Sequence, residues 1–222
     1  MKKENKFIPF KSVHFSSEEL IEKSKKYFQE INKRRSVRDF SNRDIPKEVI
    51  KNIIKTAGSA PSGAHKQPWT FCVISDVKLK SEIRKLAEKE EYENYHGRMS
   101  DNWKKDLEHF GTNHIKEFLE VAPCLIVVFK KVFDLDDNEN RLQNYYVNES
   151  VGIACGFLIS AIHQAGLVTL THTPSPMNFL QTALGRPKNE KAFLLLPVGY
   201  PTKDCKVPDL KRKMLDEISF WF

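Results

Sequence analysis

The sequence predicts a single mixed domain of helices and strands, α/β or α+β in class. Three observations carry that expectation. Segments with helical spacing alternate with short apolar runs of strand length along the 222 residues. Two of those runs, 123–129 and 192–198, contain no charged residue, the pattern of strands buried on both faces. A third uncharged stretch, 151–162, is long enough for a helix, and a helix apolar all round belongs in a core or against a second subunit.

The elements follow in order. Ser16-Ser17-Glu18-Glu19 has a capping-box pattern and opens a helix to about Asn32, with Leu20, Tyr27, Phe28 and Ile31 on one side. Pro46 starts a second helix through Thr56, where Val49, Ile50, Ile53, Ile54 and Ala57 recur at helical spacing. A loop at 61–68, bounded by prolines, feeds a strand at 69–74. A charged helix at 77–90 turns Leu79, Ile83 and Leu86 inward. The stretch 90–113 is polar, its large apolar groups being Tyr92, Tyr95, Met99, Trp103, Leu107 and Phe110. Such a composition suits a locally helical, mobile cover, and a lid is expected there. A short helix at 114–120 precedes the strand at 123–129, and the acidic stretch 134–140 is expected as a surface loop. A long helix at 145–165, closed by Gly166, leads to a strand at 167–173, a Pro/Ser-rich turn, a short helix ending at Gly185 and the strand at 192–198. The tail, 207–222, is basic, then amphipathic, and ends Phe220-Trp221-Phe222. Three terminal aromatics are costly exposed surface, so they are expected to pack on a partner chain.

Composition narrows the functional classes. The formal charge of +7 suits an anionic ligand such as phosphate. The excess is spread along the chain, interrupted by acids and not interleaved with aromatics, which argues against nucleic acid. No stretch approaches the roughly 20 apolar residues that span a bilayer. The start, Met1-Lys2-Lys3-Glu4-Asn5-Lys6, lacks the apolar region of a signal peptide, so a soluble, cytoplasmic protein is expected. Cys72, Cys124, Cys155 and Cys205 are far apart, show no zinc spacing and indicate no disulfide framework. No metal site is expected.

Three groups of residues have the chemistry of a site. Arg34-Arg35-Ser36-Val37-Arg38 places three guanidinium groups and a hydroxyl in one short segment. Guanidinium forks match phosphate oxygens two at a time. On its own such a run reads equally as a solvated basic face. In Ala60-Pro61-Ser62-Gly63-Ala64-His65, small residues let the backbone approach a flat ligand. Glu91 and Tyr95, four apart, share a helix face, and Lys116 follows the polar segment. On their own these residues read more readily as surface charges, Glu91 being one of the acids in Glu88-Lys89-Glu90-Glu91 and Lys116 a solvated lysine.

These segments, together with APSGAH-x-x-PWTF, IACG at 153–156, AGLVT at 165–169 and LLPVGYP followed by VPDLKRK, resemble in order the iodotyrosine deiodinase family of the nitroreductase superfamily. The resemblance runs from about Arg34 to Ile218. It implies an α+β fold with a mostly antiparallel sheet flanked by helices. It also implies a domain-swapped homodimer built on the long central helix, with active sites at the interface. The implied cofactor is FMN, its phosphate and ring edge lined by Arg34, Arg35, Ser36, Val37 and Arg38, with Arg212 reaching in from the tail. Ser62 and Gly63 would lie beside the isoalloxazine, and the Ala64 N–H would hold the substrate's phenolate oxygen. Glu91, Tyr95 and Lys116 would grip an amino-acid zwitterion, Glu91 as the anion for its ammonium and Tyr95 and Lys116 as donors for its carboxylate. Thr171, His172 and Thr173 would meet the flavin, with the Thr173 hydroxyl near N5 favouring one-electron steps. Neither His172 nor His65 is read as a general base.

The implied reaction is reductive dehalogenation of 3-iodotyrosine and 3,5-diiodotyrosine to tyrosine plus halide. Electrons would come from NAD(P)H, bound transiently, or from a partner reductase, since no GxGxxG follows a strand. The family's animal members carry an N-terminal membrane anchor that the sequence lacks, which implies a soluble, bacterial-type form. The segment 174–182 matches the family poorly. Three other readings compete. A general nitroreductase or quinone reductase needs no zwitterion clamp. The flavin-cleaving enzyme that makes the lower ligand of cobalamin shares the opening arginines but not the trio. A non-catalytic basic binding protein ranks last.

Overall fold

Alternation along one strand organises the fold. In the computed structural model, which describes residues 7–222, the apolar run becomes a strand, Cys124–Lys131, whose first six residues are all buried. Ile126 and Val128 face one apolar cluster, while Leu125, Val127 and Phe129 face another. A strand buried on both sides needs no polar face, which is why the run is unbroken.

We name the strands β1 (Trp69–Ile74), β2 (Cys124–Lys131), β3 (Phe133–Leu135), β4 (Arg141–Gln143), β5 (Val168–Thr169) and β6 (Glu190–Gly199). The main sheet has the order β1-β2-β6-β5, with every pair antiparallel. The fold is therefore α+β, as expected. The helices are α1 (Ser17–Asn32), α2 (Lys47–Gly58), α3 (Val77–Glu93), α4 (Asp101–Glu108), α5 (Phe118–Val121), α6 (Val147–Gln164) and α7 (Asn178–Ala183). Ile50, Ile53 and Ala57 of α2 pack with Val151, Cys155, Leu158 and Ile162 of α6 on one face of the sheet. Ile83 and Ala87 of α3, Leu119 of α5 and Leu180 of α7 cover the other.

The chain divides into two units, one ending at Arg34 and the other Arg35–Phe222. The first contains α1, whose capping box is formed as expected: the Glu19 N–H donates to Ser16 Oγ at 3.2 Å, and the Ser16 N–H to Glu19 Oε2 at 2.8 Å. Leu20, Tyr27 and Phe28 are exposed.

Four expectations need correction. The strand expected at 167–173 is laddered only at Val168–Thr169, with a single further bridge between His172 and Leu195. The register does not change; the residue opposite Leu170 is Pro197, which has no N–H to donate to a pair that would exchange two bonds. Instead Thr169 Oγ1 donates to the Pro197 carbonyl at 2.7 Å. The acidic stretch at 134–140 is the tip of a β3–β4 hairpin, where Asp136 accepts the N–H groups of Asn138 and Asn140. The helix expected at 77–90 runs on to Glu93 and then widens into a π turn, Asn94–Arg98. The helix expected at 114–120 is the single turn α5. Among the described residues, no helix is long and apolar enough to cross a membrane.

Gly199 ends β6 where the sheet meets Pro123 and Phe40. A Cβ there would lie 2.7 Å from Pro123 Cδ and 3.1 Å from Phe40 Cδ1. Gly199→Ala is expected to destabilise the fold by about 1–3 kcal/mol through overpacking, read as a lowered midpoint in chemical denaturation. An unchanged midpoint would show that Pro123 yields.

Candidate active site

The end of α3 places an acid where little water reaches it. Glu91 lies on the last turn and is 7% exposed, and Lys116, from the segment before α5, is 4% exposed. Lys116 Nζ stands 3.6 Å from Glu91 Oε2. It also donates to Thr112 Oγ1 at 3.2 Å and to the Asn113 carbonyl. The backbone that carries Lys116 is fixed separately, its N–H donating to Glu88 Oε1 at 2.7 Å. Arg84 Nε–H in turn donates to Glu88 Oε1 at 2.8 Å, an i,i+4 pair. Lys80 braces the same segment, donating to the carbonyls of Glu120 (3.0 Å) and Ala122 (2.7 Å).

The pair lines a cavity of about 190 Å³. Tyr95 enters from the π turn, its hydroxyl donating to the Thr112 carbonyl at 3.3 Å. Such single wide turns recur at functional sites, where they re-aim side chains. Met99, Trp103 and Leu107 close the cavity from the α4 side, while Thr171, His172 and Thr173 form the wall opposite. That wall follows the break in the ladder opposite Pro197 and stays tied to β6 only at His172. Arg38 completes the lining.

Electrostatics follow from burial. Burial raises the Glu91 pKa, an effect opposed by Lys116 and more weakly by His114. Burial lowers that of Lys116, opposed by Glu91. Tyr95 is also raised, again by burial first. His172 is pushed down to about 3, by burial and then by the neighbouring Lys116 and Arg38 charges, so its ring is neutral at ordinary pH. The site thus presents a carboxylate and an ammonium at close range in a poorly solvated space. A ligand carrying both charges meets its complement in each.

The other expected residues sit elsewhere in the chain. Ser36 bridges Thr169, and Val37 is buried with its N–H on the Thr169 carbonyl at 3.2 Å. Arg35 donates to the carbonyl of Pro208, which ties the tail to this segment. Arg34 closes the first unit, and Arg212 lies exposed in the irregular tail. Ser62, Gly63 and Ala64 do not line the Glu91 cavity. They form a turn seated on the start of α6, where the Gly63 N–H donates to Ser150 Oγ at 3.2 Å. A Cβ on Gly63 would fall 2.9 Å from the Tyr145 carbonyl oxygen, so only glycine fits. Ala64, His65 and Gln67 all hold positive φ, at 49°, 55° and 48°. This unfavourable backbone leaves Ala64 exposed, its N–H without a hydrogen-bond partner among the described residues.

Sequence reasoning missed Asn94, Thr112 and Phe118. Thr112 and Asn113 carried no signal, since they act through position beside Lys116. Asn94 anchors the π turn, its Nδ2 donating to the Ser175 carbonyl at 2.8 Å.

The comparisons agree with this architecture. Residues 31–200 match the nitroreductase family model. The chain is 61% identical over 213 residues to the iodotyrosine deiodinase of Haliscomenobacter hydrossis, covering 96% of each. It is 50% identical over 212 residues to iodotyrosine deiodinase 1 of Homo sapiens, covering 95% of this chain and 73% of that one. It superposes on the crystal structure of oxidized iodotyrosine deiodinase bound to FMN and 3-iodo-L-tyrosine with a TM-score of 0.76 at 29% identity, covering 88% of this chain and 100% of that one. The nitroreductase with bound FMN from Bacteroides fragilis NCTC 9343 shares the fold, at a TM-score of 0.63 and 19% identity, over 88% and 97% of the two chains. Sheet order, buried charge pair and similarity along nearly the whole chain converge: the chain belongs to the nitroreductase family and, within it, to the iodotyrosine deiodinases.

Proposed function

We propose that this protein is an FMN-dependent oxidoreductase that reductively dehalogenates halotyrosines, 3-iodotyrosine and 3,5-diiodotyrosine among them. The observation that carries this reading is the buried Glu91–Lys116 pair at 3.6 Å, with the Tyr95 hydroxyl beside it. A general nitroreductase or quinone reductase acting on flat, uncharged acceptors has no use for buried opposite charges, which are costly to keep dry. A zwitterion uses both: its carboxylate takes Lys116 and Tyr95, and its ammonium takes Glu91.

The residues fit the cofactor. Arg38 is half-buried and pairs with no carboxylate within ion-pair distance among the described residues, and burial lowers its pKa. A guanidinium so placed is a seat for an anion, and a flavin phosphate supplies one, shared with Arg35 and Ser36 and reached by Arg212. Thr171, His172 and Thr173 would meet the flavin, with the Thr173 hydroxyl assigned to the N5 side. Bound and reduced, FMN would supply the two electrons that, together with one proton, replace a carbon–halogen bond with carbon–hydrogen as halide leaves.

The protein's part is to hold and to exclude. The segment at 90–113 is a lid: Met99, Trp103 and Leu107 shield the zwitterion from water, so that recognition and closure are coupled. The Ala64 N–H points its fixed dipole at the phenolate oxygen. That loop and the Glu91 cavity are separate within one chain, so a second copy completes each site. The exposed Ile153 and Phe157 on α6 and the exposed Phe220 and Trp221 support a homodimer built on that helix. The electron source is NAD(P)H or a partner reductase, and the working compartment is the cytoplasm.

The purified protein is expected to be yellow, with 3-iodotyrosine quenching its flavin fluorescence. Glu91→Gln should weaken that binding roughly 10- to 100-fold, the worth of a charged hydrogen bond, with flavin content unchanged. Equal quenching in both proteins would dismiss the clamp. A yellow protein indifferent to 3-iodotyrosine would favour the nitroreductase reading.

Phe157→Glu places a charge in the proposed interface. It should convert a dimer to a monomer in sedimentation and reduce the FMN retained on gel filtration. A monomeric wild type that keeps its flavin would refute the shared site.

A further inference from the structure

His172 is a neutral imidazole that no hydrogen bond explains. The residue is 7% exposed, and its Nε2 is fully buried without a partner among the described residues. The nearby polar atom is Glu91 Oε1, at 4.0 Å. That distance is about 1 Å beyond a hydrogen bond. The ring has little freedom to search for another partner. Its backbone exchanges two bonds with Leu195, at 2.9 and 3.0 Å, and Phe118 stands edge-on to it with ring centroids 5.6 Å apart.

The two oxygens of Glu91 therefore differ. Oε2 faces Lys116 Nζ at 3.6 Å, and Oε1 faces His172. On the proposed reading the ligand's carboxylate competes for Lys116 and Tyr95. Glu91 then loses part of the attraction that holds it ionised at the moment it must pair with an ammonium. The remaining charged and titratable groups around it are Arg38, beside His172 and Lys116, His114 on the segment before α5, and Tyr95 on the π turn. Of all these, His172 alone combines a buried, unpartnered nitrogen with proximity to the free oxygen.

We propose that His172 is a positioning residue for Glu91: as an amino-acid ligand engages Lys116, the Nε2–H of His172 closes onto Glu91 Oε1 and holds the carboxylate ionised and aimed at the ligand's ammonium. This rests on the halotyrosine reading of the site. An imidazole held at about pKa 3 keeps a single ring proton across the working pH range, and the adjacent carboxylate favours its placement on Nε2. No proton is transferred, and the acid remains a carboxylate throughout.

The test uses the full-length flavin-loaded protein as wild type, His172→Leu and His172→Gln. Affinity for 3-iodotyrosine is followed by flavin fluorescence from mildly acidic to neutral pH. A hydrogen bond to the carboxylate depresses the Glu91 pKa, so losing it raises that pKa, and protonated Glu91 cannot pair with an ammonium. His172→Leu should bind roughly 10-fold more weakly, with the acid limb of its profile moved to higher pH. His172→Gln, which offers an amide N–H, should return the limb toward wild type. Normalised to FMN content, affinity for the des-amino analogue 3-(4-hydroxy-3-iodophenyl)propionate should change far less among the three proteins than affinity for 3-iodotyrosine, and its pH profile should not shift. An unmoved acid limb in His172→Leu, or equal losses for both ligands, overturns the proposal while leaving the dehalogenase reading intact. A flavin-loaded wild type that ignores 3-iodotyrosine overturns that reading and this one together.

Discussion

Two opposite charges held 3.6 Å apart in a poorly solvated cavity set the terms for the rest of this structure. Burying ions costs several kcal/mol each before their attraction is counted. The fold must therefore fix both partners well enough for Coulomb attraction to offset that cost. It does so through backbone anchors: Glu88 accepts the Lys116 N–H, Arg84 holds Glu88, and Lys80 ties down the carbonyls at the end of α5. None of these residues lines the cavity, yet each sets where a lining residue stands. A ligand bearing both charges substitutes for the pair without leaving either ion alone.

The sheet contributes by failing to pair at one place. Pro197 sits opposite Leu170 in the register of β5 and β6 and cannot donate there. The chain from Leu170 to Thr173 stays in line with the sheet but is released from it, except at His172. A continuous ladder would have committed these residues to the sheet edge. The interruption turns them into the wall of a cavity, at the cost of one pair of backbone bonds.

Much of this was legible in the sequence, for identifiable reasons. The unbroken run at 123–129 announces a strand covered on both faces, and the capping box at Ser16 announces where α1 begins. Glu91 and Tyr95 at helical spacing announce a shared face. What was not legible depends on partners remote in sequence. The truncation of β5 follows from a proline 27 residues later, a relation that only the register reveals. The π turn at Asn94–Arg98 has no compositional mark, because its widening is stabilised by contacts such as Asn94 with Ser175. The loop at 61–68 was legible from its prolines and glycine, but its separation from the Glu91 cavity was not. Within one chain that turn belongs to α6, through Ser150 and the close approach of Gly63 to Tyr145.

The helix α4 has a consequence for how the molecule spends its time. Its N-cap is sound, with Ser100 accepting the Trp103 N–H at 3.3 Å, but none of its 8 residues is buried. A helix with so little to lose opens at a small fraction of the global unfolding free energy. Its amide hydrogens are expected to exchange before those of β2, and its ordered fraction then becomes a thermodynamic variable in its own right. Any ligand that contacts Trp103 or Leu107 does part of its work by raising that fraction. Its measured affinity will then carry the helix–coil equilibrium of α4 as a hidden factor.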